Sequence, residues 1–523
     1  MVANSPDTVD RYLLKYQSNP QSAFAILLIG GIARIASLRR QVLTQRGTYY
    51  KTRRQTLQKT LVSATLLALM SGAALAESFD VVVIGSGGAE LSATIMAKEA
   101  GAKTVVLEKM PYIGGNTNFA SGGMNAAGTK MQLAAGITGD SPKLFYDDTM
   151  KGGQNLNNPA LLKTMTENAK YAEEWLMDLG AKFCFRKGRG GGQSIARSHG
   201  PCDGSAVGPE VLRVLTERMD KDKVDIRTEN QVVDILMKNG RVTGVKVKTP
   251  DGTQTINTKA VVLATGGFGA NQAMVVKYRP ELKGFATTNH PGVQGEGLEL
   301  AEKVGASFTD IEQIQIHPTV VPKNGHLISE SMRGRGGILV NKDGKRFTNE
   351  LLTRDVVSQN VLKQKDGVAY LIYDQSIYDS NKLSRGYFAD GYSVKGNDIK
   401  DLAEKIHVPA ANLEATFVQY HEAYKTGKDT AFNRPEMIIP LDKAPYYAAL
   451  ITPGIHHTMG GVTINPKAEV QSKASKTIQG LYAAGEVTGG VHGGNRIGGN
   501  AVADIVTFGR IAGTNAAAYA KSH

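Results

Sequence analysis

The chain has 523 residues, with 61 Lys and Arg against 48 Asp and Glu, a formal charge of +13. Its 41% hydrophobic and 21% charged content is that of a globular protein with room for roughly two to four domains, which excludes disorder and collagen-like repeats. Two cysteines, Cys184 and Cys202, exclude a disulfide scaffold, a four-cysteine iron–sulfur site and a C-x-x-C-H haem attachment within this sequence.

Much of the charge lies at the start. Residues 1–76 hold ten basic and two acidic side chains, so +8 of the +13 belongs there and the remainder carries only +5. Residues 1–50 contain one short apolar run at 23–33 and suggest no role. From 51 the chain reads KTRRQTLQKT LVSATLLALM SGAALAES: an arginine pair, an apolar run shorter than the ~20 residues of a membrane span, and a small-residue cleavage site at Ala74-Leu75-Ala76. Thr52–Leu57 fits the twin-arginine signal, a route for proteins exported already folded. The reading is a periplasmic protein with its leader removed after Ala76. No later segment pairs a Lys/Arg cluster with aromatics, so nucleic acid is not an expected partner.

Directly after the leader, FDVVVIGSGGAELSATIMAKEAGAKTVVLEK spells strand, Gly-rich turn, helix and second strand. Gly85 allows the tight turn. Gly87, with Gly88 and Ala89, lets the backbone approach a pyrophosphate at the helix N-terminus, and Glu108, next to Lys109, is placed for a ribose hydroxyl. The third glycine of the fingerprint is replaced by Glu90, a departure expected to disturb cofactor binding. Three later segments favour FAD over NAD. Gly114, Gly115, Asn116 and Thr117, followed by Gly122 and Gly123, form a second Gly-rich loop. Ala264, Thr265 and Gly266 end a buried strand, and Gly485 and Glu486 lead to a last helix entered at Ala501 and Val502.

From about 313 to 446 the chain changes character, carrying its own strands and helices before the FAD segments resume. The expected fold is α/β: a Rossmann-like FAD-binding domain (77–312 and 447–523) with an inserted α+β capping domain (313–446).

Polar residues gather in loop and Gly-rich segments of these parts: His317 in IQIHPT, Ser329, Glu330 and Arg333 in SESMRG, Arg354 in LTRD, His456 and His457 in GIHHTMGG, and Arg496 in GGNRIGG. In order and spacing, over essentially all of 79–523, these motifs resemble the soluble fumarate reductases of the flavocytochrome c type, within the family that includes succinate dehydrogenase flavoproteins. The resemblance implies reduction of the C=C bond of a small dicarboxylate, fumarate to succinate, by hydride from flavin N5. It also implies that His317, Ser329, His456 and Arg496 bind the substrate, that Arg354 delivers the proton, that Glu330 and Arg333 relay protons to it, and that His457 lies by the flavin. Glu350 and Asp355 are expected to be structural partners of nearby arginines, Cys184 and Cys202 to be unpaired, and His199 to line the site beside Gly191–Ser194.

Members of the family that hold FAD covalently do so through a histidine near the second Gly-rich loop. No histidine precedes His199, so FAD is expected to be noncovalent. With no haem or iron–sulfur motif in this sequence, a separate donor is expected, a periplasmic multihaem cytochrome c. Two other readings stay open: a reductase of another enoate such as urocanate, methacrylate or cinnamate, and an electron-carrying flavoprotein without turnover.

Overall fold

The computed structural model describes residues 77–380 and 382–523. The leader reading at 1–76 lies outside them. Among the described residues no helix is long and apolar enough to cross a membrane.

The elements that position the site are, in chain order, β1 (Glu77–Ile84), α1 (Gly88–Glu99), β2 (Thr104–Leu107), β3 (Phe183–Arg186), β4 (Ser198–Pro201), α2 (Val207–Lys221), β5 (Asp225–Arg227), β6 (Gly252–Leu263), β7 (Ile314–Val320), β8 (Ile338–Val340), α3 (Arg354–Leu362), β9 (Ala369–Asp374), β10 (Tyr446–Thr458), β11 (Thr477–Ala483) and α4 (Asn500–Ser522). β1 ends in a continuous apolar run, Val81 to Ile84, of which Val81, Val82 and Val83 are wholly buried. That is the pattern of a strand covered on both faces of a parallel sheet. β1 indeed lies between β2 and β6, parallel to both, with Val81 opposite Thr104 and Ala260. β5 extends the sheet beyond β2 and β11 extends it beyond β6, again in parallel.

The chain leaves β1 through Gly85, whose φ of +103° suits glycine, and enters α1. The last helix packs on α1 through small residues: a Cβ on Gly509 or Gly513 of α4 would run into the backbone of Ala89 or Ala93. The two helices therefore meet backbone to backbone, which draws the N-terminal ends of both toward the same cleft.

A second sheet carries the catalytic candidates. β10 is thirteen residues long and pairs antiparallel with two partners in succession. Its first half lies on β9, Asp374 opposite Tyr446 through Ala369 opposite Ile451, and its second half lies on β7, where Gln315 faces His457 and His317 faces Gly454. The halves belong to different apolar cores. One is built around β1, α1 and α4; the other, between Val321 and Ile451, centres on Leu371, Tyr373, Phe417 and Tyr420.

One expectation is corrected here. Cys184 and Cys202 form a disulfide. β3 and β4 make an antiparallel pair with Cys184 opposite Gly200, which brings the residue just past β4 across to Cys184, with the Cα atoms 4.9 Å apart. Pairing depends on a strand register that cysteine counting does not contain.

Replacing both cysteines by serine should lower unfolding free energy by about 3 kcal/mol for a loop of this size, read by urea unfolding. Gly513→Val should cost about 2 kcal/mol or more through overpacking of α1 against α4.

Candidate active site

A single cleft runs from the Gly85–Ala89 turn, past the loop at 115–123 and the strand end at 264–266, to the histidines and arginines expected to bind substrate. Its nucleotide end is built by the first βαβ unit. Glu108, at the end of β2, accepts from Ser86 Oγ (2.5 Å) and the Met110 N–H (2.8 Å) and still borders the cleft, so lone pairs remain for a ribose. Lys109 is fixed by an ion pair to Glu296. Thr117 accepts from the Gly88 N–H at 3.0 Å. Asn116 donates to Asn289 (2.7 Å) and Glu486 (3.2 Å), and burial pushes the Glu486 carboxyl upward despite the Thr458 N–H donated to it.

Gly122, Gly123, Ala264, Thr265, Gly266, His457, Gly485, Ala501 and Val502 also line this end. Gly114 does not. It forms the turn behind the loop at φ +111°, its N–H bonded to Ser86. Gly115 and Gly122 have open space where a Cβ would stand. Thr265 Oγ1, His290 Nε2 and His457 Nδ1 are buried at the cleft wall without a protein partner. A glycine-paved wall studded with unpartnered polar atoms fits a long polar dinucleotide such as FAD.

At the other end, β7 supplies Gln315 and His317, β10 supplies His456 and His457, α3 starts with Arg354, and the loop before α4 supplies Arg496. Arg354 opens a helix, where the macrodipole disfavours a cation. Glu330 answers that charge: Arg354 Nε donates to Glu330 Oε2 at 2.6 Å, and the Gly191 N–H donates to Oε1 at 2.5 Å. Arg354 Nη1 donates to Gln315 Oε1 at 3.0 Å. Arg333 Nη2 lies 3.9 Å from Glu330 Oε2, and its Nη1 donates to the Glu350 carbonyl. Burial alone would push the Glu330 carboxyl up, but Arg354, Arg333 and the Gly191 N–H outweigh it and hold the group down at about 2.

The imidazoles of His317 and His456 stand 5.0 Å apart, centroid to centroid. Burial, reinforced by the arginines around them, holds both well below the usual histidine range, so both are neutral. Their Nδ1 atoms meet Thr319 Oγ1 (3.2 Å) and Thr288 Oγ1 (2.7 Å). Arg496 is 4% exposed, its Nε has no acceptor, and it makes no ion pair among the described residues. Burial, with Arg354 nearby, lowers it to about 9.

His317, Ser329, Glu330, Arg354, His456 and Arg496 all border the cleft; Arg333 is wholly buried behind Glu330. His199 is not at the site. It is buried in β4 with Nε2 on Thr129 Oγ1 at 2.9 Å. Glu350 does pair with arginines, Arg346 and Arg434, but Asp355 accepts from Gln154 instead. Unforeseen were Gln315, which ties Arg354 to the Arg496 carbonyl, and the Gly191 N–H. Gln315 stands two residues before His317, a spacing that shares a strand face and was the available clue.

A dinucleotide cradle opening onto a buried pocket rich in arginine defines an FAD-dependent oxidoreductase. Residues 80–502 match the family described as FAD binding domain. The chain is 46% identical over 449 residues to the fumarate reductase (cytochrome) of Shewanella frigidimarina, covering 86% of this chain and 78% of that one. It is 47% identical over 465 residues to the NADH:fumarate oxidoreductase of Klebsiella pneumoniae (strain 342), covering 88% of this chain but only 50% of that longer protein. The open conformation of a flavocytochrome c3 fumarate reductase superposes with a TM-score of 0.71 at 42% identity, over 88% of this chain and 81% of that one. The chain belongs to the FAD-binding family of these fumarate reductase flavoproteins.

Glu330 contributes stability that is full above the unfolded carboxylate range, about pH 4.3, and is lost as pH falls toward 2. Glu330→Gln should therefore cost about 3 kcal/mol at pH 7, with the difference from wild type closing between pH 4 and 2 in urea unfolding.

Proposed function

We propose that this protein reduces the C=C bond of a small unsaturated dicarboxylate, fumarate to succinate, with noncovalent FAD as cofactor. The observation that carries the reading is Arg496. A buried guanidinium without a carboxylate partner is costly unless an anion completes it. Glu330 is held by Arg354, and no carboxylate among the described residues forms an ion pair with Arg496, so a substrate carboxylate completes that guanidinium. The fumarate reductases to which the chain is similar point the same way.

When bound and reduced, FAD supplies the hydride. The remaining steps belong to the chain. Arg496, His317 and His456 grip the carboxylates, with Ser329 at the cleft wall beside them, each charge-assisted bond contributing about 1.5–3 kcal/mol. Arg354 uses Nε and Nη1 on Glu330 and Gln315, and so presents Nη2 to the substrate as proton donor. Arginine is a weak acid, above about 12, but the carbanion-like carbon is a far stronger base than water. Glu330 passes the replacement proton from Arg333, which must close from 3.9 Å to hydrogen-bond distance. In this reading 313–446 caps the FAD-binding parts at 77–312 and 447–523.

Export to the periplasm accords with the disulfide, a feature of oxidising compartments. Electrons come from a separate donor, for which a multihaem cytochrome c is our candidate.

The test is oxidation of reduced viologen by purified protein with fumarate, acrylate, urocanate, methacrylate or cinnamate. Fumarate should turn over fastest. Arg354→Ala should lower kcat by about 10³-fold or more, in the range of a lost general acid, whereas Arg496→Gln should act mainly on KM. A colourless protein, or preference for a monocarboxylate, would overturn the reading.

A further inference from the structure

Glu90 occupies the position that closes the dinucleotide fingerprint, in the first turn of α1. Its carboxyl folds back over the turn. A Cβ on Gly85 would collide with Glu90 Oε1, and one on Gly87 would stand 3.1 Å from Oε2. The carboxyl thus fills the space those two glycines leave, borders the cleft and is only 6% exposed.

The backbone N–H groups of Gly87 and Glu90 face the carboxyl, but no cation does. Among the described residues Glu90 has no ion pair. Of the elements packed on α1, β2 brings Glu108, another carboxylate. Arg218 of α2 pairs with Glu99 at the far end of α1, and Arg510 of α4 also bears on Glu99. On β1, Asp80 accepts from the Lys103 N–H, and on β6, Lys259 donates to the Ala520 carbonyl. Burial and Glu108 push the carboxyl up to about 8, against the pull of the two N–H groups.

A pyrophosphate laid on this turn adds two negative charges beside the carboxyl. We propose that Glu90 meets the dinucleotide as a neutral carboxylic acid whose O–H donates to a phosphate oxygen, so that FAD binding takes up one proton. The inference rests on the FAD reading of the cleft and assigns Glu90 the task of pyrophosphate recognition. The balance is simple: carboxylate, proton and FAD give the hydrogen-bonded complex, with no other bond made or broken. Near neutral pH the free protein already holds the proton. Above about pH 8 it must be taken from solvent, and affinity falls.

The experiment titrates the full chain, stripped of flavin, with FAD from pH 6.5 to 10 and follows quenching of flavin fluorescence. Wild-type Kd should be flat near neutrality and rise about tenfold per pH unit above 8. Glu90→Gln and Glu90→Gly should bind FAD without that rise. Calorimetry of wild type at pH 9 in two buffers of different ionisation enthalpy should report uptake of about one proton, a readout that needs no variant. Parallel pH profiles in wild type and both variants, or no proton uptake at pH 9, would overturn the proposal while leaving the FAD reading intact. Failure of wild type and both variants to bind FAD at pH 7 would instead sink the FAD reading.

Discussion

Arg496 is buried, without an ion pair among the described residues, beside an Arg354 that Glu330 already holds, and the site is arranged around that unpaired guanidinium. Glu330 can hold Arg354 at the start of a helix, against the macrodipole, because a backbone N–H from Gly191 and a second arginine stand on its other sides. Burial, reinforced by the surrounding arginines, keeps His317 and His456 neutral. Neutral imidazoles donate and accept without adding charge, so in the proposed function the task of balancing a substrate's charge falls to Arg354 and Arg496. In that reading the pocket is a half-built salt bridge that the substrate completes.

Two cores are needed to build it. The sheet around β1 positions the glycine turn and α4, while the core around Leu371 and Phe417 holds the single helical turn Ser331–Gly334, which follows Glu330, and α3, which starts at Arg354. Neither could form the site alone, since Arg496 comes from one and Arg354 from the edge of the other. Small residues where α1 meets α4 serve the same end, allowing two helix N-termini to address one cleft.

The sequence was most readable where chemistry is local. The glycine turn, the acid-ending strand and the entry to the last helix are each contiguous motifs, and nearly all their residues border the cleft. Arg354, Glu330 and Arg496 were recognisable because spacing along the chain stands in for geometry in a family with a shared fold. What escaped notice depends on register or on backbone. Cys184 and Cys202 pair only because β3 and β4 align as they do. Gly191 acts through its N–H, which no side chain advertises, and His199 reads as a loop residue until β4 buries it. Arg197 is another such case: its buried pairs with Asp140 and Asp148 join residues 57 and 49 positions apart.

β10 sorts the paired histidines. Its register on β7 shifts there, from Ile455 opposite Ile316 to His457 opposite Gln315, which makes His456 the extra residue of a β-bulge; both imidazoles border the cleft, His456 against His317 and Thr288 and His457 against His492. The first half of the same strand is pinned to β9 by six consecutive pairings, so the frame of the second half is inherited from a core that never touches the ligand. Losing one residue between 452 and 455 would leave every site residue in the polypeptide yet displace both imidazoles from that frame. In this family, evolutionary tolerance should therefore differ between kinds of change: substitutions in the outer core can be absorbed by repacking, but length changes along this strand cannot.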